Sequence, residues 1–176
     1  MFTRILTWFL ILIGAIAVSI ALFFVSMRFH DGPMEIIAGG PFQSGELVQG
    51  PEPDWSFIKD RTTVEFQILD PPTSRVIWLA VHENKLYVTS SYMKTGFGKM
   101  WKKWPRHVER DNRVLLRVDG KIYERQLIRL TADDWQDGIK SEYIRKYNQR
   151  YDKESIASGA IWFYELAPRS VSGKGS

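Results

Sequence analysis

The chain contains no cysteine, and histidine occurs only three times in 176 residues. Without cysteine the protein has no disulfide, no thiolate nucleophile and no cysteine-ligated metal. The three histidines are far apart in sequence, and neither an H-E-x-x-H motif nor a carboxylate cluster with metal-ligand spacing is present. The sequence therefore predicts no metal site.

Signatures of several common activities are missing as well. No Gly-x-Ser-x-Gly element, P-loop or Rossmann fingerprint occurs, so neither nucleophilic hydrolysis nor these nucleotide-binding modes are supported. The chain carries 24 basic and 20 acidic residues, a net charge of +4. Setting aside Arg4 and Arg28, which flank an apolar segment, leaves 22 basic against 20 acidic residues, or +2. So weak an excess does not favour nucleic acid as a partner.

A long apolar segment is the most prominent feature that the sequence does contain. Residues 5–27 carry no charge, and a helix of this length spans about 35 Å, enough to cross a hydrocarbon core of about 30 Å. A signal peptide has a shorter apolar region and a small-residue cleavage site, which the sequence FFVSMRF lacks. We therefore predict an uncleaved, single-pass anchor over residues 1–28 that contacts the lipid bilayer through residues 5–27.

The charges that flank this segment predict its orientation. Arg4 and the free amine precede it, whereas Arg28 is followed by Asp31 and Glu35. Because cytoplasmic flanks carry the basic excess, we expect the N-terminus inside and the soluble domain on the non-cytoplasmic side.

Composition divides the rest of the chain into three parts. Nine of the 24 residues from 31 to 54 are glycine or proline, which predicts an irregular linker over residues 29–54. Residues 55–168 are expected to form the folded domain, and residues 169–176 a disordered tail.

The folded domain shows six segments with the alternating, β-branched pattern of strands. Asp119-Gly120 gives the strongest hairpin signal, and His82-Glu83-Asn84 gives a second one. The predicted strands are TVEFQIL (63–69), RVIWLAV (75–81), KLYVTSS (85–91), RVLLRV (113–118), KIYERQLIRLT (121–131) and AIWFYELA (160–167).

Two helices are predicted between these strands. A short one over residues 98–104 ends at Pro105, and a second begins at a capping box formed by Thr131 and Asp134. The second carries an apolar stripe that we expect to pack on the sheet, namely Trp135, Ile139, Tyr143, Tyr147 and Tyr151.

An antiparallel sheet of six strands must hide its edges, and closure into a barrel is the usual solution. The predicted fold is therefore mainly β with two helices (α+β). It is a six-stranded antiparallel split β-barrel preceded by one transmembrane helix.

The run SRVIWLAVHENKLYVTSS, the basic, Trp-containing loop after it, and the run RVLLRVDGKIYERQ resemble the split-barrel flavin-binding superfamily. This superfamily includes pyridoxamine phosphate oxidase-like and deazaflavin-dependent nitroreductase-like proteins, and the resemblance covers residues 55–166. It implies a homodimeric barrel that binds FMN, deazaflavin F420 or haem between subunits. The implied function is a membrane-anchored oxidoreductase that uses FMN or F420 on a small-molecule redox substrate.

The resemblance also implies which residues hold the cofactor. Arginine binds phosphate with two N–H groups, lysine adds a point charge, and hydroxyls fill the remaining acceptors. One departure from the family is that Tyr92 and Met93 stand between the hydroxyl run and the first lysine. The implied phosphate-binding residues are Arg75, Thr89, Ser90, Ser91 and either Lys94 or Lys99, while Trp78 and Trp101 would border the ring.

Each of these residues also has a purely structural interpretation. Arg75 can serve as a turn residue, Ser90 and Ser91 can end a strand, and Trp101 and Trp104 can fix the short helix to the barrel. The alternative function is a non-catalytic, membrane-tethered barrel that acts as a binding or interaction module.

Two further alternatives concern haem and lipid. A third possible function of the barrel is to bind haem through His82 or His107. The basic and aromatic stretch KMWKKWPRH (99–107) also suits lipid headgroups, and less well single-stranded nucleic acid. We expect no nucleic-acid partner.

Overall fold

Six antiparallel strands close into a barrel in the computed structural model, which describes residues 2–91 and 104–169. This confirms the predicted fold class, a mainly β, α+β domain preceded by one long apolar helix. The helices are α1 (Phe2–Ser26), α2 (Trp104–Val108), α3 (Asp137–Tyr147) and α4 (Lys153–Ala157), with 3₁₀ turns at Met27–Phe29 and Trp55–Ile58. The strands are β1 (Glu46–Leu47), β2 (Thr63–Leu69), β3 (Pro72–His82), β4 (Lys85–Ser90), β5 (Arg113–Val118), β6 (Lys121–Arg129) and β7 (Trp162–Pro168).

Closure follows from the strand order. β2 pairs with both β3 and β5, β3 with β4, β4 with β7, β7 with β6, and β6 with β5, all antiparallel. This ring leaves no open edge among its six strands over the paired residues. The short β1 adds to the outside of β6 in parallel, with Glu46 opposite Lys121.

Strand positions agree with the sequence pattern, and the differences lie at the ends. β3 begins at Pro72 rather than Arg75, because a proline is tolerated as the first residue of a strand. β1 lies inside the predicted linker and was missed because two residues are too few to show alternation. Both predicted hairpins form. Glu83 and Asn84 have φ of 49° and 58°, and Asp119 and Gly120 have 51° and 74°, as two-residue turns of type I′ require.

The helix predictions were less accurate. α3 begins at Asp137, so the expected capping box at Thr131 was wrong as a helix start. The Asp134 carboxylate does accept hydrogen bonds from Thr131 N and Oγ1, at 2.8 and 2.6 Å, but these close a separate turn. Trp135 packs on Phe163 with 4.4 Å between the ring centroids, and it lies before the first residue of α3.

The short helix was also misplaced, and a further helix was missed. α2 begins at Trp104 and contains Pro105, which is tolerated in a first turn. Residues 98–103 of the predicted helix, and residues 170–176 of the predicted tail, lie outside the described residues. α4 was not predicted, since five residues carry too little periodicity to identify a helix.

Two hydrophobic clusters form the core, one on each face of the barrel wall. The inner cluster fills the barrel and includes Phe66, Leu79, Leu116 and Tyr164. The outer cluster packs α3 and α4 on the sheet and includes Trp135, Ile139, Tyr143, Tyr151 and Phe163, with Tyr147 beside it. The expected packing role of the aromatic stripe is therefore confirmed.

Gly138 allows α3 to approach the end of β3. A Cβ atom at this position would lie 2.0 Å from Cε1 of His82. Alanine favours a helix by about 1 kcal/mol over glycine, but we expect Gly138→Ala to destabilise the protein by about 1–3 kcal/mol through this overlap. Denaturant midpoints would measure the effect, and His82→Ala is the matched background in which the loss should disappear. A Gly138→Ala variant more stable than wild type, with His82 in place, would contradict this contact.

By length and composition, α1 is able to cross a membrane. Its 25 residues span about 37 Å at 1.5 Å per residue, and none of those residues is buried against the rest of the chain.

Candidate functional site

Strand alternation separates the residues predicted to form one binding site. Side chains two apart along a strand share a face, and antiparallel partners share a face across the pair. Arg75 therefore lies on the same face of β3 as Leu79, which belongs to the inner cluster. Trp78 lies on the outer face.

The same rule divides the end of β4. Ser90 is opposite Trp162, which packs against the inner cluster, whereas Thr89 is opposite Phe163 of the outer cluster. Of the described residues in the predicted set, Arg75 and Ser90 thus share the inner face. Lys94, Lys99 and Trp101 lie outside the described residues.

The predicted residues on the outer face contact α3, β7 and the segment between α3 and α4. The Trp78 ring stacks on Tyr147 at 4.6 Å with an interplanar angle of 7°. Ser91 Oγ lies 3.3 Å from Tyr151 Oη, and Thr89 Oγ1 donates to the Trp162 carbonyl at 3.4 Å. These contacts give Trp78, Thr89 and Ser91 a packing role, and they leave one face of the Trp78 ring, 42% exposed as a residue, toward solvent.

Arg75 stands at one end of the barrel with no partner for its charge. Its Nε is buried and makes no hydrogen bond, and no ion pair or hydrogen bond joins its guanidinium to any other described residue. Burial lowers the pKa of Arg75 to about 10, so the group is still charged at neutral pH. A partly buried guanidinium without a counter-ion is costly, and an anion that reaches its more exposed NH2 groups would offset this cost.

Other arginines of the barrel show what a partnered guanidinium looks like in this chain. Arg117 donates to Asp31 and Glu65, each at 2.7 Å. Arg125 donates to both carboxylate oxygens of Glu52 at 2.9 and 2.7 Å. The Nε of Arg125 is buried without a hydrogen bond, as in Arg75, so the two arginines differ in that Arg75 has no carboxylate partner among the described residues.

Three aromatic side chains plug the barrel next to Arg75. Arg75 is opposite Phe66 in the β2–β3 register. The Phe66 ring meets Trp104 at 5.2 Å, and Trp104 meets Tyr164 at 5.6 Å. This confirms that Trp104 fixes its short helix to the barrel. The Tyr164 hydroxyl is buried and has no hydrogen-bond partner in the described part of the chain.

Sequence reasoning did not select Tyr164, because its position in a strand offers no signal beyond that of a core residue. Only the closed ring of strands brings β7 round to face β2 and β3. The neighbouring Arg129 was also missed. Its guanidinium lies 3.8 Å above the Trp162 ring and 3.5 Å from Glu109, so it is partnered where Arg75 is not.

Among these residues, Arg75 is the one whose chemistry suits an anionic group such as a phosphate. The orphaned Nε of Arg75 is a donor in need of an acceptor, and phosphate oxygens supply one. For the ring of a flavin-type cofactor, one predicted residue, Trp78, has one face of its side chain stacked on Tyr147. The other, Trp101, lies outside the described residues.

A separate groove of about 410 Å³ lies on the outer face of β2 and β5. Charged side chains line it, among them Arg61, which pairs with Asp119 at 2.6 Å, and Arg117 with its two carboxylates. Each of these charged side chains has a partner among the described residues, and two arginines against three carboxylates leave the groove with a net charge of −1.

Metal ligation has no support in the described residues, where no group of three histidine or carboxylate side chains converges. His82 lies against Gly138 and 3.8 Å from Glu83, a contact that explains its position without haem.

Comparison with known proteins adds a likeness of structure without a match of sequence. No family model matches the sequence, and no curated protein matches it. Among solved structures, the chain is similar to the conserved hypothetical protein Rv2991 from Mycobacterium tuberculosis, with 14% identity and a TM-score of 0.44 over 72% of this chain and 85% of that chain.

Proposed function

We propose that this protein is a membrane-tethered barrel that binds FMN or F420 and acts as an oxidoreductase. The observation that carries the proposal is the unpartnered guanidinium of Arg75 at the end of the barrel. A protein retains such a costly group where binding or catalysis requires it.

In this proposal Arg75 binds the phosphate of the cofactor with two of its N–H groups. Ser90, on the same inner face, supplies a hydroxyl, and Lys94 or Lys99 from the segment after β4 adds a second positive charge. Trp101 borders the ring, whereas Trp78 lies on the outer face of the barrel wall against Tyr147. The bound cofactor supplies the hydride chemistry, so the chain itself needs only to bind, orient and shield it.

The tether and the oligomer belong to the same proposal. α1 crosses the bilayer as a single span through residues 5–27, with the barrel on the non-cytoplasmic side. A homodimer completes the site between subunits, as the resemblance implies, and a small-molecule redox substrate reaches it there.

The visible absorption spectrum of the full-length protein, purified in detergent, tests this function. We expect a flavin or deazaflavin band, and mass spectrometry of the heat-released material should identify the chromophore. Protein purified without a chromophore should acquire the band when FMN or F420 is added. A colourless protein that takes up neither would contradict the proposal.

The second candidate is a non-catalytic binding module, and the outer face of the barrel favours it. Trp78 stacks on Tyr147 and Ser91 contacts Tyr151 of the outer cluster. These are the contacts expected in a barrel that holds no cofactor. The two candidates differ in one variant. Arg75→Leu reduces cofactor uptake if the guanidinium binds phosphate, and leaves a binding module unchanged.

A further inference from the structure

The segment that follows α1 closes into a loop over residues 28–40, here called the juxtamembrane loop. Gly40 N donates to the His30 carbonyl at 3.1 Å, so the end of the loop returns to its beginning. A Cβ atom on Gly39 would lie 1.7 Å from the Gly32 carbonyl oxygen, and only glycine allows this approach. The loop therefore stays at the end of α1 instead of leading away from it.

The tip of the juxtamembrane loop is a tight turn with an apolar side chain. Met34 and Ile37 exchange both backbone hydrogen bonds, at 3.0 and 2.9 Å, which leaves Glu35 and Ile36 as the turn. Glu35 has a φ of 48°. Ile36 is 97% exposed, and Met34 and Phe29 are 43% and 76% exposed.

Two sets of contacts fix this loop to the barrel. Gly39 and Ser74 exchange backbone hydrogen bonds at 3.0 and 3.1 Å, and Ser74 Oγ donates to the Gly40 carbonyl. Asp31 accepts from Arg117 at 2.7 Å and from Gln43 N at 2.8 Å. Burial raises the pKa of Asp31, but these hydrogen bonds, with one from Ser44, hold it well below its usual range. The carboxylate therefore stays charged, and the loop stays in place, at neutral pH.

Chain length limits how far the tip can lie from the membrane. Six residues separate His30 from Ile36, which allows at most about 20 Å, and the turn shortens this reach. The headgroup region is about 5–8 Å thick on each side of the hydrocarbon core. A tip attached this closely to the end of a spanning helix is within reach of that region.

We propose that the juxtamembrane loop lies in the headgroup region of the bilayer, with Ile36, Met34 and Phe29 inserted at the acyl boundary. This inference rests on the membrane tether of the proposed function. Phe29 follows Arg28 directly in the chain, and a basic residue next to an apolar one suits an interface where lipid chains meet anionic headgroups. Because Ser74 precedes Arg75, the loop would also hold the Arg75 end of the barrel next to the membrane.

The absence of cysteine makes a direct depth measurement practical. Full-length Ile36→Cys protein, labelled with an environment-sensitive fluorophore, would be reconstituted into vesicles of phosphatidylcholine and phosphatidylglycerol carrying shallow or deep spin-labelled quenchers. Ile13→Cys reports on the span itself. Glu83→Cys is the control in water, because its turn lies nine residues, or about 30 Å, along β3 from Ser74.

We expect the Ile36 probe to be quenched several-fold more by shallow than by deep quenchers, the Ile13 probe mainly by deep quenchers, and the Glu83 probe by neither. An Ile13 probe in lipid with an Ile36 probe in water overturns the loop inference and leaves the tether intact. An Ile13 probe in water overturns the tether and this inference together. Because Ile36 is almost fully exposed, its substitution does not disturb the packing of the barrel.

Discussion

Arg75→Leu is expected to make the ligand-free protein more stable by about 1–3 kcal/mol. Leucine keeps apolar contacts at the barrel end and removes a largely buried charge that has no partner in the described residues. The free energy of unfolding, from denaturant titration of full-length protein in detergent with tryptophan fluorescence, measures the difference. Most core substitutions destabilise, so a gain here would mark Arg75 as a residue retained for binding.

The pH dependence of this gain follows from the lowered pKa. Between about pH 10 and the higher pKa of an exposed arginine, the unfolded chain holds the Arg75 proton and the folded chain loses it. The contribution of Arg75 to the free energy of unfolding of the wild type therefore rises only above about pH 10. The difference in the free energy of unfolding between Arg75→Leu and the wild type should be constant from pH 6 to 9. An Arg75→Leu protein that is less stable than wild type would show that the guanidinium has a stabilising partner, and would remove the argument for an external anion.

Glu52→Ala is expected to have the largest destabilising effect, about 3 kcal/mol or more. Arg125 is 2% exposed, and its guanidinium lies 4.9 Å from the Trp55 ring and 5.6 Å from the Tyr123 ring. Glu52 accepts both hydrogen bonds from Arg125 and one more from the Trp55 indole. Removing the carboxylate leaves a buried charge alone, which costs more than the pair contributes.

The same denaturant titration, with a matched surface pair as control, checks this prediction. Arg61 and Asp119 are 2.6 Å apart but well exposed, so Arg61→Ala, which leaves the Asp119-Gly120 turn intact, should cost less than about 1 kcal/mol. The double variant Glu52→Leu with Arg125→Met should recover most of the loss, because it removes both charges. Equal effects of Glu52→Ala and Arg61→Ala would contradict the importance assigned to burial.

The strands of this protein were predictable because each carries its own evidence. Alternating residues identify TVEFQIL and RVLLRV within their observed bounds, and the Asp119-Gly120 turn fixes the register of β5 and β6. Helix ends were less predictable, because tertiary contacts decide them. Trp135 leaves the helical path to pack on Phe163, and no local signal announces that contact.

The candidate site was only partly predictable for a different reason. Arginine at the start of one strand and hydroxyls at the end of the next suggested a common site, and strand alternation then separates Arg75 and Ser90 from Trp78 and Thr89. The decisive property of Arg75 is that its charge has no partner. Whether an arginine is paired depends on residues distant in sequence, as Arg125 and Glu52 show, and so it is visible only in the folded chain.

The central claim is that the Arg75 guanidinium receives the anionic part of a cofactor. Equilibrium titration of full-length wild-type and Arg75→Leu protein with FMN, followed by flavin fluorescence and repeated with F420, tests it most directly. We predict saturable binding to wild type and an affinity about 30- to 150-fold weaker for Arg75→Leu, since a charged hydrogen bond contributes about 2–3 kcal/mol. Equal affinities for the two proteins, or no binding of either cofactor to the wild type, would contradict the claim.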